Sequence, residues 1–264
     1  GLKIYNRFLP KGGFSYKIVP LYSNGTKDLT GEANLAYTKY SQTSRFHKFT
    51  LSTGAKQYQY DYDKEYIRIM PQLNVEFKKP SLRSKVGNYL SASYVYLEKE
   101  NEILGFFNAK YTYSNARTFN PYSLHAKVEK GEEYNKAHVI VKLRKDLNQK
   151  KRLNARVYLG YVNTKNDKYK LKMSAWNGAD DYMFSERTFS RSESSEHNLP
   201  YQQQIFIREG GLKHFTNDSL NSSQWLSSLY LDYNFSKPFN IYAEGGTNGT
   251  DFAYGSGFLI SGKI

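Results

Sequence analysis

Apolar and polar residues alternate along most of this chain. In the run 66–77, the odd-numbered positions from Ile67 to Phe77 are apolar, whereas the even-numbered positions are mostly polar and include Arg68 and Asn74. In a β-strand, successive side chains point to opposite faces, so such a run predicts a strand with one apolar and one polar face. The period recurs in about fourteen runs, which lie near residues 14–23, 31–40, 46–57, 66–77, 86–96, 106–114, 123–130, 135–144, 152–162, 169–176, 203–211, 225–235, 239–246 and 252–261.

Helical patterns are almost missing between these runs. The connections are polar and contain turn-forming residues, as in NGTKD after Ser23 and KKPS after Phe77. Only the segment 178–200 is long enough and irregular enough to hold a helix. The pattern therefore predicts one all-β domain over 1–264.

Two architectures fit strands of this kind in series. A soluble sandwich or barrel buries the apolar face, whereas a membrane barrel turns it toward lipid and places the polar face in the lumen. Long charged side chains occur on the polar face of nearly every run, and Tyr and Phe gather near strand ends, where aromatic girdles of membrane barrels lie. Each run has about ten residues, the length of a tilted membrane strand. We therefore predict a transmembrane antiparallel β-barrel of about 14 strands, within a range of 12–16.

Composition excludes other classes. Hydrophobic residues make up 39% of the chain and the mean hydropathy is −0.72, but 25 Tyr, 16 Phe and 2 Trp are too many aromatic residues for a disordered protein. No stretch approaches the ~18 consecutive apolar residues of a membrane-spanning helix. The absence of Cys excludes disulfides, thiolate nucleophiles and Cys-ligated metal sites.

Several stretches resemble a known family. These are LPKGGFSYKIVPLYSNGTKDLTGEANLAY (9–37), FNPYSLHAKVEKG (119–131), WNGADDYMFSERTFSRSE (176–193) and the region from REGGLK (208–213) to SSQWLSSLYLDYNF (222–235). Together they are similar to the C-terminal outer-membrane barrel region of gluzincin-type, zinc aminopeptidase-like proteins. The resemblance implies an outer-membrane barrel that belongs to a longer chain, with a zinc peptidase domain before it and further strand sequence after Ile264.

The chain carries no recognisable catalytic set. It has no HExxH motif, and its five histidines are scattered. The strongest local histidine pair is His125 with His138, which would lie opposite each other if Gly131-Glu132 formed a two-residue hairpin turn. The same register would pair Lys127 with Lys136 and disfavour a cation there. We therefore expect no enzyme activity, cofactor or metal from this chain.

Two groups of charged residues are candidate sites. Asp61, Asp63 and Glu65 share one face and form a weak candidate site for calcium. The alternative interpretation is that these residues belong to a solvated loop. The long segment 177–202 mixes both charges and can be read as a solvated loop or as a plug that pairs with lumen residues. Candidate lumen and plug residues are Arg68, Lys142, Arg144, Arg156, Asp180, Asp181, Arg187 and Arg191.

The net charge of +14 also raises the hypothesis that the protein binds nucleic acid. Lys and Arg are spread over the whole chain, however, so no nucleic-acid partner is expected, and contact with lipopolysaccharide phosphates and a cationic lumen explain the charge better. We expect a barrel in a Gram-negative outer membrane that anchors a larger protein or complex. Its partners would be lipid, lipopolysaccharide and other subunits or its own periplasmic or extracellular domain. The alternatives are a channel for small solutes and a soluble β-sandwich binding module.

Overall fold

The computed structural model describes most of the chain. The described residues are 2–6, 13–22, 27–61, 64–81, 83–99, 102–148, 151–174, 181–185, 209–214, 216–236 and 239–260. Within them, the secondary structure is almost entirely β-strand, and two 3-10 helices of three residues each are present, Asp167–Tyr169 and Asp218–Leu220. None of the described helices is long and apolar enough to cross a membrane.

The strands follow one another at short intervals. They are β1 (Ile4–Tyr5), β2 (Gly13–Tyr22), β3 (Leu29–Tyr40), β4 (Phe46–Asp61), β5 (Lys64–Phe77), β6 (Val86–Lys99), β7 (Glu102–Asn115), β8 (Tyr122–Lys130), β9 (Tyr134–Asp146), β10 (Arg152–Thr164), β11 (Trp225–Ser236), β12 (Phe239–Thr247) and β13 (Phe252–Ile260).

All thirteen strands form one antiparallel sheet in which each strand pairs with its neighbours in the chain. Short connections produce this meander, because antiparallel neighbours can be joined by a tight turn whereas parallel neighbours cannot. Within the described residues, β1 pairs only with β2 and β13 only with β12, so the sheet is not closed. The all-β, antiparallel prediction is confirmed to that extent.

Twelve of the fourteen predicted runs are strands of this sheet. The run 169–176 is not one: Tyr169 ends a 3-10 helix, and Leu171 and Ser174 form only isolated bridges with Ser222 and Leu212. The run 203–211 lies mostly outside the described residues, and its described end, 209–210, is a turn. The pattern missed the two-residue strand β1.

The two faces of the sheet have opposite surroundings. The outer face carries the apolar side chains that alternate along the strands, and many of them are open to the surroundings, as at Leu51 (60% exposed), Leu159 (55%) and Phe258 (78%). The inner face carries the polar series, yet Arg68 and Lys136 there are only 6% and 3% exposed. Polar groups are enclosed on one face while apolar groups are exposed on the other.

The inner face is covered by the connection between β10 and β11, which we call the covering segment (165–224, of which 165–174, 181–185, 209–214 and 216–224 are described). Its apolar side chains form two buried clusters with the inner face. One joins Tyr169, Tyr182, Met183 and Phe184 to β5, β6, β7 and β9, and the other joins Leu171, Met173, Leu212 and Leu220 to β10, β11 and β13. The described parts of the segment thus lie against the inner face from β5 to β13.

Candidate functional site: the covered inner face

Two inward arginines hold the covering segment through its backbone. Arg68 on β5 donates from Nε to the carbonyl oxygen of Met183 at 2.8 Å. Arg156 on β10 donates from Nη1 to the carbonyl oxygen of Gly210 at 2.7 Å, and its Nη2 donates to the carbonyl of Glu209. Guanidinium groups suit this task, because several N–H donors lie in one fixed plane. Backbone groups of the segment that lack a strand partner are satisfied in this way.

A buried ion pair joins the segment to β9. Lys136 Nζ lies 2.6 Å from Glu209 Oε1, and both side chains are nearly inaccessible to solvent. The second carboxylate oxygen of Glu209 accepts a hydrogen bond from the backbone N–H of Lys172. Charges that are removed from water need such complete pairing, since an unpaired buried charge is costly.

Glu129 on β8 forms the next contact along the inner face. Its carboxylate accepts a hydrogen bond from the hydroxyl of Tyr182 and pairs with Lys127 on the same strand. Burial, and next the charge of Glu129, raise the pKa of Tyr182 well above its ordinary value. The phenol therefore stays protonated and remains a hydrogen-bond donor at neutral pH.

Glu244 on β12 binds the far end of the segment. Its carboxylate accepts a hydrogen bond from the backbone N–H of Lys213 at 2.8 Å and lies 2.7 Å from His214 Nδ1. The ammonium group of Lys213 lies over the rings of Tyr230 and Tyr242, at 4.6 and 4.8 Å from their centroids. These contacts position the segment against the last strands of the sheet.

The predicted lumen residues have different positions. Arg68 and Arg156 contact the covering segment, and Asp181 is buried within it, where it accepts a hydrogen bond from the backbone N–H of Ser185 and acts electrostatically on Arg68. Lys142 lies on the inner face, opposite Arg156 and Ser123. Arg144 pairs with Asp146 at 3.2 Å and donates to the carbonyl of Thr118, so it fixes a connecting loop.

Three further candidates, Asp180, Arg187 and Arg191, lie outside the described residues. The prediction that the segment 177–202 covers the lumen side can therefore be followed only at 181–185. There the segment does lie against the inner face, through Tyr182, Met183 and Phe184.

The predicted pairing of His125 with His138 is wrong. The turn after β8 lies one residue later than expected, because the N–H of Gly131 donates to the carbonyl oxygen of Tyr134 and leaves Glu132 and Glu133 at its tip. The pairing therefore shifts by two residues, so that His138 lies opposite Lys127 and His125 lies opposite Ile140. Glu129, rather than Lys127, is opposite Lys136. Because the register changes by two residues, the predicted facing is unaffected. His125 instead lies 3.3 Å from the Thr112 hydroxyl.

The calcium candidate receives no support from the described residues. Asp63 lies outside them, the side chain of Asp61 is not described, and the amide of Gln57 donates to Glu65. Within the described part of the chain, no group of three or more potential metal ligands is found.

Several functional contacts were missed at the sequence level. Glu209, Tyr182 and Lys213 lie in the covering segment, where no alternation of apolar and polar residues predicts which way a side chain points. A signal was nevertheless available in the sheet: residues 94–97 (YVYL) and 103–107 (ILGFF) are apolar or aromatic on both faces. Such strand ends need cover on the inner side as well, and Val95, Leu97 and Phe106 are indeed buried there.

The described inner face can hold a peptide segment firmly. Arginine and carboxylate side chains form hydrogen bonds with the backbone of the segment, and two apolar clusters bury its side chains. In a comparison with protein-family models no model matches this chain, and a search of curated proteins likewise gives no match.

Proposed function

We propose that this sheet forms a transmembrane β-barrel in a bacterial outer membrane, filled on its inside by the covering segment, and that it serves as the anchor of a larger protein or complex. In this proposal the chain itself is non-catalytic. Its surroundings are lipid and lipopolysaccharide on the outer face, with other subunits or further domains of its own chain at the strand ends.

The observation that carries the proposal is the inverted distribution of polarity. Large apolar side chains of the outer face are exposed on many successive strands, whereas Arg68, Glu129, Lys136 and Glu244 are buried on the inner face. In water, an apolar surface of this extent favours association or burial. In a bilayer the same apolar surface would face lipid. The polar side chains of the alternating strands would then face the interior of the barrel.

Strand dimensions agree with the proposal. Strands β2 to β13 contain 9 to 16 residues, as illustrated by β4 with 16 and β13 with 9, and a tilted membrane strand needs about 9–11. Exposed aromatic residues cluster toward the ends of strands, at Phe14, Tyr22, Trp225, Phe239 and Phe252. Interfacial aromatic residues of membrane barrels occupy such positions.

A soluble sandwich fits less well. It would require a second layer on the apolar face, but in the described residues the covering segment lies on the polar side. An anchor is favoured over an open channel, because Arg68, Arg156 and Glu244 fix the covering segment across the inner face. The resemblance to the barrel region of gluzincin-type proteins supports the same role, in which catalysis belongs to another domain.

The test is expression in a Gram-negative host with an outer-membrane signal sequence, followed by membrane fractionation. We expect the protein in the outer-membrane fraction, resistant to carbonate extraction and released only by detergent. A monodisperse monomer in the supernatant of a high-speed spin without detergent would refute the membrane proposal.

A channel is the second candidate function. It is favoured by one observation, the presence of Lys110 and Lys142 on the inner face without carboxylate partners among the described residues. A cationic lining attracts anions. Large and stable anion-selective conductance would support this role over that of a closed anchor.

A further inference from the structure

The antiparallel meander gathers basic residues at one end of the sheet, although they are spread along the sequence. Successive connections of a meander lie at alternate strand ends, so those after β3, β5, β7, β9 and β11 share one end, which we call the basic rim. In sequence they are 41–45, 78–85, 116–121, 147–151 and 237–238, and each contains Lys or Arg but no Asp or Glu. Exposed cations of the described connections are Arg45, Lys79, Lys85, Arg117 and Lys151.

The opposite end of the sheet has a different composition. Its short connections follow β2, β4, β6, β8 and β12 and are 23–28, 62–63, 100–101, 131–133 and 248–251. In sequence each of them contains Asp or Glu, and Lys27 is the only basic residue among them. We call this end the acidic rim. The covering segment, which has charges of both signs, also leaves and rejoins the sheet there. The short connections of the two rims therefore carry opposite charge.

The cations of the basic rim are not neutralised within the described part of the chain. Asp146 at the end of β9 already pairs with Arg144 and Arg152. In the described residues no ion pair is formed by the exposed cations Arg45, Lys79, Lys85, Arg117, Lys145 and Lys151. Their charge is therefore available to an external anion.

The same charge continues onto the outer face, beside its apolar side chains. On β9 the outward residue Leu143 is followed by Lys145, and on β3 Tyr37 is followed by Lys39; both lysines are exposed. A lysine in such a place can lay its methylene chain along the apolar surface and hold its ammonium group at the level of polar headgroups. A partner of this rim should therefore present anionic groups next to an apolar phase.

We propose that the basic rim binds the phosphate groups of lipopolysaccharide and therefore faces the outside of the cell. This inference rests on the proposed membrane location of the sheet. Lipopolysaccharide carries phosphate groups and acyl chains in one molecule, so it matches cations that border an exposed apolar face. Nucleic acid offers the phosphates without the apolar part. Each Lys or Arg near an anionic membrane surface strengthens binding roughly fivefold.

The first experiment measures the affinity of the detergent-solubilised chain for lipopolysaccharide by calorimetry. The test variant combines Lys79→Gln, Lys85→Gln and Lys145→Gln at the basic rim. The matched control combines Lys27→Gln, Lys130→Gln and Lys165→Gln, which removes the same charge from exposed positions at the acidic rim. Lipopolysaccharide treated with phosphatase and a DNA duplex serve as further probes.

We expect the basic-rim variant to bind lipopolysaccharide roughly a hundredfold more weakly than the wild type, because three surface charges are lost. The acidic-rim variant should bind almost as the wild type does, and removal of the phosphates should weaken binding to the wild type. Equal losses in the two variants, or full binding of the dephosphorylated lipid, would overturn the proposal. Binding of DNA through the basic rim without binding of lipopolysaccharide would also overturn it and would indicate a nucleic-acid partner.

The second experiment determines which rim faces the outside of the cell. Because the chain contains no Cys, a single introduced Cys is its only thiol. Ser81→Cys places this thiol in an exposed connection of the basic rim, and Thr250→Cys places it in one of the acidic rim. A membrane-impermeant maleimide should label Ser81→Cys on intact cells as fully as in lysed cells, and should label Thr250→Cys only after lysis. Reversed labelling of an outer-membrane protein would refute this inference alone, whereas a soluble chain would refute the membrane proposal as well.

Discussion

At the scale of single residues, buried charged side chains of the inner face bind the covering segment. Arg68, Arg156, Lys136 and Glu244 come from four different strands, and each contacts the covering segment. Buried charges are expensive unless they are paired or hydrogen-bonded. Each of these groups is satisfied by the segment, so the segment and the inner face depend on each other for stability.

The first residue-scale prediction concerns Tyr182→Phe. The change removes the hydrogen bond to Glu129, so it should lower the free energy of unfolding at pH 8 by about 1–3 kcal/mol. Urea titration measures this difference. Tyr96→Phe is the control, because it removes a hydrogen bond to Glu98 on the outer side of β6, where both groups are partly exposed. Equal losses in both variants would contradict the role of Tyr182.

The same residue makes stability depend on alkaline pH. Burial raises the pKa of Tyr182 in the folded protein above the value of ~10 that it has when unfolded. Its stabilising contribution is therefore complete below pH 10 and decreases above it, because only the unfolded chain then loses the proton. Between pH 9 and 11, the wild type should lose more stability than Tyr182→Phe. Parallel curves for the two proteins would contradict the raised pKa.

At the scale of elements, facing is the best-defined property of the strands. Alternation in 66–77 assigned Arg68 to one face and Ile67 to the other, and the structure confirms this, with Arg68 buried and Ile67 exposed. The same alternation misled at 169–176. Tyr169, Leu171 and Met173 are buried against the inner face, but the chain there pairs through isolated bridges only. Alternation reports an extended chain between two environments; it does not report pairing with neighbouring strands.

A prediction at this scale compares two neighbouring positions of β5. Leu73→Arg places a charge on the exposed outer face, and in the proposed barrel it should impair membrane insertion by about 2–4 kcal/mol near the midplane. Asn74→Arg places the same charge on the inner face and should be tolerated. Folding yield into lipid vesicles, followed by heat-modifiable electrophoretic mobility, measures both effects. Equal effects at the two positions would remove the assignment of the outer face to lipid.

At the scale of the whole molecule, the covering segment would decide whether the lumen of the proposed barrel is open. Its two apolar clusters and its polar contacts extend from β5 to β13. A firmly held segment blocks passage, whereas a loosely held one opens and closes. The contacts with Arg68, Glu129 and Glu244 indicate firm attachment.

We therefore expect the intact chain to conduct poorly in planar bilayers. Deletion of 178–200 removes Tyr182, Met183 and Phe184 from the first cluster and should raise the single-channel conductance. Outer-membrane localisation of the deletion variant, checked by fractionation, serves as the control for folding. Large, stable, anion-selective conductance of the intact chain would refute the anchor proposal and favour the channel.

The sequence by itself determined the all-β class and the facing of the strands. A period of two is a local property, and a one-residue slip would reverse the environment of every side chain, so the apolar pattern specifies which face is which. It also placed Arg68, Lys142 and Arg156 on the inner face. These results need no knowledge of which strands are neighbours.

Only the tertiary structure decided what those inner residues meet. The pairing of Lys136 with Glu209 joins residues 73 positions apart, and that of Arg68 with the Met183 carbonyl joins residues 115 positions apart. The opposition of Lys142 and Arg156 depends on hairpin registers, which the positions of the turns set. The turn after β8 shows that a displacement by one residue along the chain is enough to change the partners. The long-range contacts of the covering segment form when it packs on the completed sheet. The local alternation of apolar and polar residues therefore does not predict them.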